Sequence, residues 1–239
     1  MALDEALMAR ARRTGESVLR VYAWSRPTLS LGRNQRALGV YRDDALASAD
    51  IDVVRRPTGG RALLHHREVT YSVTAPSTAD SLGAAYERIN EILICALHTL
   101  GVRVRVAAPA ERAATPTSLP CFAEPARGEL TVDGRKLVGS AQWRDRGAML
   151  QHGSILIDDD QSRIPALMHA AVAPATPPAT LRDILRRAPT LDDVSDALFA
   201  AVRTLADAGA DPLVPDDALT RDAAELAAHY RSDAWTWRR

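Results

Sequence analysis

The chain has 239 residues, 46% hydrophobic and 25% charged, and its 30 basic residues balance 30 acidic ones. That excludes a disordered or collagen-like chain, removes the charge footprint of a general nucleic-acid binder, and leaves no apolar run near the ~20 residues of a bilayer span. Asp4 and Glu5 stand where a secretory signal would carry bases, and two cysteines make no disulfide framework, so one cytoplasmic domain under the ~250-residue ceiling of a single core is expected.

Leu3, Ala6, Leu7 and Ala11 recur at helical spacing from Met1 to about Arg13, and Gly15 ends that helix. Short strands follow at Val18–Tyr22 and Thr28–Leu31, then a short helix at Asp43–Ala49. A strand at Ile51–Val54 runs into the turn Arg55–Arg61 (RRPTGGR). Ala62–Leu64 and Val69–Thr74 again alternate and carry β-branched residues. The clearest helix spans Ser81–Leu100, with Leu82, Ala85, Ile89, Leu93, Ala96 and Leu97 on one face and Gly101 as its stop. Val102–Val106 reads as a strand, 107–120 as a Pro/Ala/Thr-rich loop, and Glu129–Val132, Leu137–Trp143 and Ala148–Ile157 as further strands. Beyond Ser162 the pattern turns helical, with breaks at 173–178 and 212–215. Strands first and helices last, without regular βαβ alternation, indicate an α+β fold with a mixed, largely antiparallel sheet flanked by helices.

One count stands out: Lys136 is the single lysine, and the other 29 basic residues are arginines. Arginine serves wherever only a surface cation is wanted, but it cannot replace an amine that must lose a proton or act as a compact donor. Fifteen residues upstream, Cys121 closes the irregular loop. A nearby ammonium would lower the thiol pKa and raise the thiolate fraction, while the amine, beside Arg135, could have its own pKa depressed and pass a proton. A surface lysine kept by chance is the plain alternative. Cys95, between Ile94 and Ala96 in the long helix, reads as a small buried hydrophobe.

In the Arg55–Arg61 turn, Gly59 and Gly60 let backbone N–H groups approach a ligand, and the arginines offer forks for phosphate or carboxylate; a plain hairpin turn is the alternative. His65 and His66 point to opposite faces of a strand, so at most one can share a site with that turn, and no second ligand at metal-binding spacing accompanies them. Gly139–Gln142 and Gln151–Ser154 are small-residue stretches inside strands, where a ligand or another backbone comes close, or where the strand simply bulges.

The ordered runs Met1–Leu7 (MALDEAL), Arg55–Arg61, Glu68–Val73 (EVTYSV), Gly134–Gln142 (GRKLVGSAQ) and Leu150–Leu156 (LQHGSIL), with Tyr230–Trp235 (YRSDAW) at the end, resemble the lipoate branch of the biotin/lipoate protein ligase superfamily. The resemblance covers most of the chain and implies one catalytic domain over 1–239 with a short helical extension from about 178. Cys121-Phe122 followed by Lys136 is similar to the cysteine-dependent octanoyl-acyl-carrier-protein:protein N-octanoyltransferases of lipoate biosynthesis. That likeness implies octanoyl-acyl carrier protein as donor and the lysine of an apo lipoyl domain, such as glycine cleavage H protein, as acceptor. No ATP or other cofactor is implied; charge, hydropathy and ligand spacing give no nucleic acid, no membrane and no metal, and a monomer is the default expectation. Cys121 and Lys136 are then catalytic, Cys121 as thioester nucleophile. Arg56, Thr58, Gly59, Gly60, Arg61, His65, Tyr71, Gly139, Ser140, Ala141, Gln142, His152 and Gly153 bind substrate.

The chain departs from the family in two places. Family members usually carry a strand before the MALDEAL helix, and commonly have Asp where this chain has His66. The main rival is an ATP- and Mg-dependent lipoate–protein ligase, with Cys121 incidental. Such ligases generally have Ser-Gly-Gly-Gly in the turn, where this chain has Thr-Gly-Gly-Arg. An amidotransferase between lipoyl domains and a catalytically dead binding module on the same fold are the other readings.

Overall fold

The computed structural model describes residues 1–77, 82–108, 122, 128–172 and 176–239. Helix α1 (Ala2–Thr14) ends at Gly15, whose φ of 77° is a left-handed cap. Then come β1 (Val18–Tyr22), β2 (Thr28–Leu31), α2 (Asp43–Ser48), β3 (Asp52–Arg55), β4 (Leu63–His65) and β5 (Glu68–Pro76). Helix α3 (Leu82–Thr99) leads to β6 (Arg105–Val106), β7 (Leu130–Val132), β8 (Arg135–Asp145) and β9 (Ala148–Leu156). A 3₁₀ helix (Gln161–Leu167) and helices α4 (Leu181–Leu185), α5 (Leu191–Leu205), α6 (Asp217–Arg231) and α7 (Asp233–Thr236) follow.

The strands form two sheets. Six run β1-β5-β9-β8-β7-β6, antiparallel at every pairing, and a smaller sheet places β2 between parallel β3 and antiparallel β4. The mixed, largely antiparallel α+β architecture is the one the strand pattern predicts. Alternation on β5 and β9 sorts the side chains. Val69, Tyr71, Val73, Met149 and Ile155 join α3 and α5 in the main core. Thr70, Ser72, His152 and Ser154 fall on the opposite face of the same strands, where His152 meets Thr58 of the turn beyond β3.

Two differences have simple causes. The strand expected over Val102–Val106 shrinks to Arg105–Val106, because only those two residues find partners on β7. Strand β8 is longer than expected, since β9 pairs with it as far as the turn at Arg146 and Gly147, both at positive φ. Of the loop expected over 107–120, residues 109–120 lie outside the described residues.

The C-terminal helices tie the parts together. Leu219 of α6 packs on Ala6 and Leu7 of α1, and Tyr230 donates to Glu5 at 2.6 Å. Trp235 of α7 donates its indole N–H to the Arg55 carbonyl, and Arg55 Nε donates to the Thr236 carbonyl. Among the described residues, no helix is long and apolar enough to cross a membrane.

Candidate active site

The glycine turn after β3 is pressed onto the end of β2. A Cβ added to Gly32 would stand 1.9 Å from the Gly60 carbonyl oxygen, and Gly60 itself has φ 96°. Both arginines that open the turn are spent on protein acceptors. Buried Arg55 donates to the carbonyls of Gly32, Gln35 and Thr236. Arg56 donates through Nη1 to the Ser30 carbonyl and hydroxyl, and through Nη2 to the carbonyls of Gly59 and Arg61. The forks read from sequence as ligand donors thus fix the turn's shape. Among the described residues, Arg55 Nη2 and Arg61 Nη1 are buried without a hydrogen-bond partner, and of these two residues Arg61 lines the cavity.

From Arg56 a polar chain runs inward, and its bonding pattern assigns each proton. The Ser30 hydroxyl accepts from Arg56 at 2.6 Å, so its own proton is best placed for His65 Nε2 at 2.7 Å. His65 Nδ1 then carries the ring proton and donates to Glu68 Oε1 at 3.0 Å. Thr70 donates to the same oxygen, its hydroxyl accepts from Trp24, and the Trp24 ring stacks on His65 at 4.3 Å. Burial holds the His65 imidazole below its ordinary pKa, and Glu68 only partly offsets this.

A parallel arrangement surrounds His152, whose Nε2 is 2.6 Å from the Thr58 hydroxyl and whose Nδ1 is 3.9 Å from Asp4. Burial lowers the His152 pKa as well. Burial pushes the Asp4 carboxyl up, but the charges of the amino terminus, His152 and Arg20 outweigh it and leave the group below its ordinary range.

Lys136 is 2% exposed, and its Nζ meets Glu129 Oε1 at 2.6 Å and the Phe122 ring at 4.5 Å from the centroid. The turn Asp133-Gly134, with both residues at positive φ, folds β8 back on β7 and brings the two charges together. A Cβ on Gly139 would fall 2.7 Å from Lys136 Cε and 3.1 Å from Phe122 Cζ, so glycine makes room for the lysine. Arg135, expected beside the amine, instead donates to the Pro178 carbonyl. Cys121 lies outside the described residues; Phe122 is its neighbour in the chain. Cys95 is half-buried against the main core, short of the full burial expected of it.

These groups surround a cavity of about 360 Å³, within the ~300–1,000 Å³ range of small-molecule sites. Arg56, Gly59, Gly60, Arg61, His65, Gly139, Ser140, Ala141, Gln142, His152, Gly153 and Lys136 line it. Thr58 and Tyr71 stand behind the wall: Thr58 holds His152, and Tyr71 bonds Ser140 at 2.6 Å. Burial pushes the Tyr71 phenol up to about 12, so it remains a hydroxyl. His66 is exposed, in the bend just beyond the end of β4. Among the described residues, no cluster of His, Cys, Asp or Glu is arranged to hold a metal ion.

Residues 1–203 match the family defined by the lipoyl protein ligase A/B catalytic domain. The chain belongs to that family. Octanoyltransferase LipM of Kyrpidia tusciae is 41% identical over 263 aligned residues, covering all of this chain and 94% of that protein. Octanoyltransferase LipM of Staphylococcus epidermidis is 34% identical with the same coverage. The fold is similar to that of a lipoate-protein ligase A bound with ATP, with TM-score 0.84, 21% identity, and 99% of this chain and 92% of that chain covered. A bi-partite lipoate protein ligase from Thermoplasma acidophilum gives TM-score 0.77 at 21% identity, covering 99% and 89%. At that identity the likeness is one of fold.

In this lipoyl protein ligase A/B domain, Glu129 is the cavity residue that sequence reasoning missed. It was legible only as the first residue of a strand, and the burial of Lys136 that calls for a counter-ion shows only in the fold. Met1, Tyr22, Leu63, Thr70 and Ser154 also line the cavity without having been singled out.

Proposed function

We propose that this chain is an octanoyltransferase of lipoate biosynthesis that moves octanoyl from acyl carrier protein through a Cys121 thioester to a lysine of an apo lipoyl domain. The observation that carries the reading is the buried Lys136 ammonium, paired with Glu129 and set against the ring that follows Cys121 in the chain. The full-length relatives named octanoyltransferase support the choice of acyl group.

Each step balances without a nucleotide. The Cys121 thiolate attacks the donor thioester carbonyl, the carrier's thiolate leaves, and Lys136 supplies it with a proton. The acceptor lysine, its ammonium proton already given up to solvent, attacks the acyl-enzyme as the neutral amine. The neutral amine of Lys136 takes the proton released as the amide forms, Cys121 leaves as thiolate, and its counter-ion is again the Lys136 ammonium. Thioester exchange is near balance and amide formation is downhill, so no ATP or other cofactor is needed. Glu129 keeps the ammonium in one place through both steps. Backbone N–H groups of the glycine turn and of Gly139–Gln142 are the donors available to the thioester carbonyl oxygen. The eight-carbon chain fills the cavity, its burial worth ~0.8 kcal/mol per CH₂. With two cysteines, one of them reactive, the reducing cytoplasm is the fitting compartment.

The test is intact-protein mass spectrometry after incubation with octanoyl-acyl carrier protein and no ATP, beside Cys121→Ser. A hydroxylamine-labile octanoyl adduct on the wild type alone is expected. No adduct, together with ATP-dependent transfer of free octanoate or lipoate to a lipoyl domain, overturns the reading in favour of a ligase.

A further inference from the structure

The charges on the cavity wall are out of balance. Of the described side chains that line it, Arg56, Arg61 and Lys136 are cationic and only Glu129 is anionic. Burial keeps His65 and His152 below their ordinary pKa, as neutral imidazoles. Glu129 is held by Lys136, and Arg56 is fastened to carbonyls and to the Ser30 hydroxyl. Behind the wall, Asp4 accepts from Arg20 and Ser72, and Glu68 from His65 and Thr70.

Arg61 has no such partner. Its guanidinium makes no hydrogen bond or ion pair among the described residues, yet its Nη1 is buried. The Tyr22 hydroxyl is the other buried atom of a described lining residue left without a partner, and it carries no charge. A buried donor without an acceptor bears the full cost of its desolvation, more so when charged, and an oxyanion from a ligand removes that cost.

The chain path sets this side chain on the wall. Arg61, Leu63 and His65 alternate into β4 and all line the cavity, while Ala62 and Leu64 turn into the core of the small sheet. Arg56 holds the Arg61 carbonyl at 2.8 Å, so the backbone is fixed and the side chain alone is uncommitted. Just before it, Gly59 and Gly60 are exposed at the rim. Just after it, Leu63 packs on Phe122, whose ring faces the Lys136 ammonium. Arg61 thus stands between the rim and the reacting end.

We propose that Arg61 recognises a phosphate ester joined to the incoming acyl group. The inference rests on the acyltransferase reading above, in which that ester is the phosphodiester of the donor's phosphopantetheine arm. The acceptor's lysine arm brings no anion, which assigns the contact to the donor half of the reaction. An arginine fork matches phosphate oxygens with two donors, whereas the oxyanion formed at the thioester carbonyl has backbone N–H groups available to it. A nucleotide phosphate is the other source of the same chemistry, and the experiment separates the two.

The test compares two small donors that differ only in the phosphate, octanoyl-pantetheine and octanoyl-phosphopantetheine, by kcat/KM for acylation of Cys121. Free octanoate with ATP and a lipoyl domain is a third arm. The wild type should favour the phosphorylated thioester about 10- to 100-fold, mainly through KM, as one charge-assisted contact does. In Arg61→Gln that ratio should collapse to about one, whatever happens to the two rates together, and Arg61→Lys should restore part of it; thermal melts verify that each variant is folded. A wild-type ratio near one, or a preference that survives in Arg61→Gln, overturns the assignment while acylation of Cys121 stands. If neither thioester acylates the wild type, the acyltransferase reading falls, and the arm as the source of the phosphate falls with it. ATP-dependent octanoyl transfer that is lost in Arg61→Gln then gives the contact to a nucleotide phosphate.

Discussion

Glu129→Gln replaces the carboxylate that faces the buried Lys136 ammonium with a neutral group of the same shape. Two unit charges 2.6 Å apart attract by about 6 kcal/mol at an effective dielectric of ~20. Desolvation of both groups consumes much of that, so the pair contributes little relative to two apolar residues. Removing one partner is another matter, because the survivor loses its opposite charge in a site 2% exposed. The expected loss is about 3–5 kcal/mol, a fall in Tm of about 6–20 °C for a domain of this size. Lys136→Met should cost a similar amount by stranding Glu129. The double variant removes both charges and should recover most of the stability, so the coupling energy should approach the sum of the two single losses. Urea unfolding of the four proteins measures the cycle, and octanoylation of Cys121 is followed in parallel. Acyl-enzyme formation should slow about 100-fold in Glu129→Gln and remain absent in the double variant however stable it is. Single losses below about 1 kcal/mol that simply add in the double variant would refute the claim that this pair fixes the lysine.

Three other outcomes follow from the same geometry. Gly139→Ala puts a methyl 2.7 Å from Lys136 Cε, so it should cost about 1–3 kcal/mol by overpacking and displace the amine; calorimetry and the acylation rate should fall together. Gly32→Ala meets the Gly60 carbonyl at 1.9 Å, where only backbone can yield, and should abolish acyl binding or soluble expression, which circular dichroism and acylation assays distinguish. His65 and His152 have folded pKa values below the ordinary 6.5, so the unfolded chain binds more protons between the two values. Their stability contribution is therefore present above pH 6.5 and is lost as pH falls through the window beneath it. Denaturation midpoints taken from pH 7.5 to 5 should drop through that window, and His65→Gln should flatten the profile.

Much of the fold was legible because the signals were local. Periodicity and the Gly15 and Gly101 stops place α1 and α3, and β-branched alternation places β1 and β2 to the residue. The interior strands were blurrier at their ends, since pairing partners set where β8 stops and where β6 begins, and partners lie far away in sequence. The same distinction governs the site. Strand geometry allowed at most one of His65 and His66 at the site; the structure has His65 in the cavity at the end of β4 and His66 in solvent, in the bend beyond that strand. What Arg56 does was not legible: its four acceptors come from Ser30, Gly59 and Arg61, and only the folded turn shows that its donors are consumed.

The contrast between Arg56 and Lys136 explains why one lysine stands among 29 arginines. Around the cavity, a planar fork with several donors is the better tool for fastening carbonyls that cannot otherwise be satisfied, as Arg55 and Arg56 do. Such a group holds its carbonyls in place and never gives up a proton. At position 136 the demands are opposite. The space left by Gly139 and Phe122 admits a single nitrogen at the end of a narrow stem, and the neighbouring carboxylate takes one of its three donors. In the reading proposed above, the amine can release and recover a proton as an acyl group arrives and departs. A guanidinium would crowd Gly139 and stay charged throughout. Arginine thus builds the cavity, and lysine alone can work inside it.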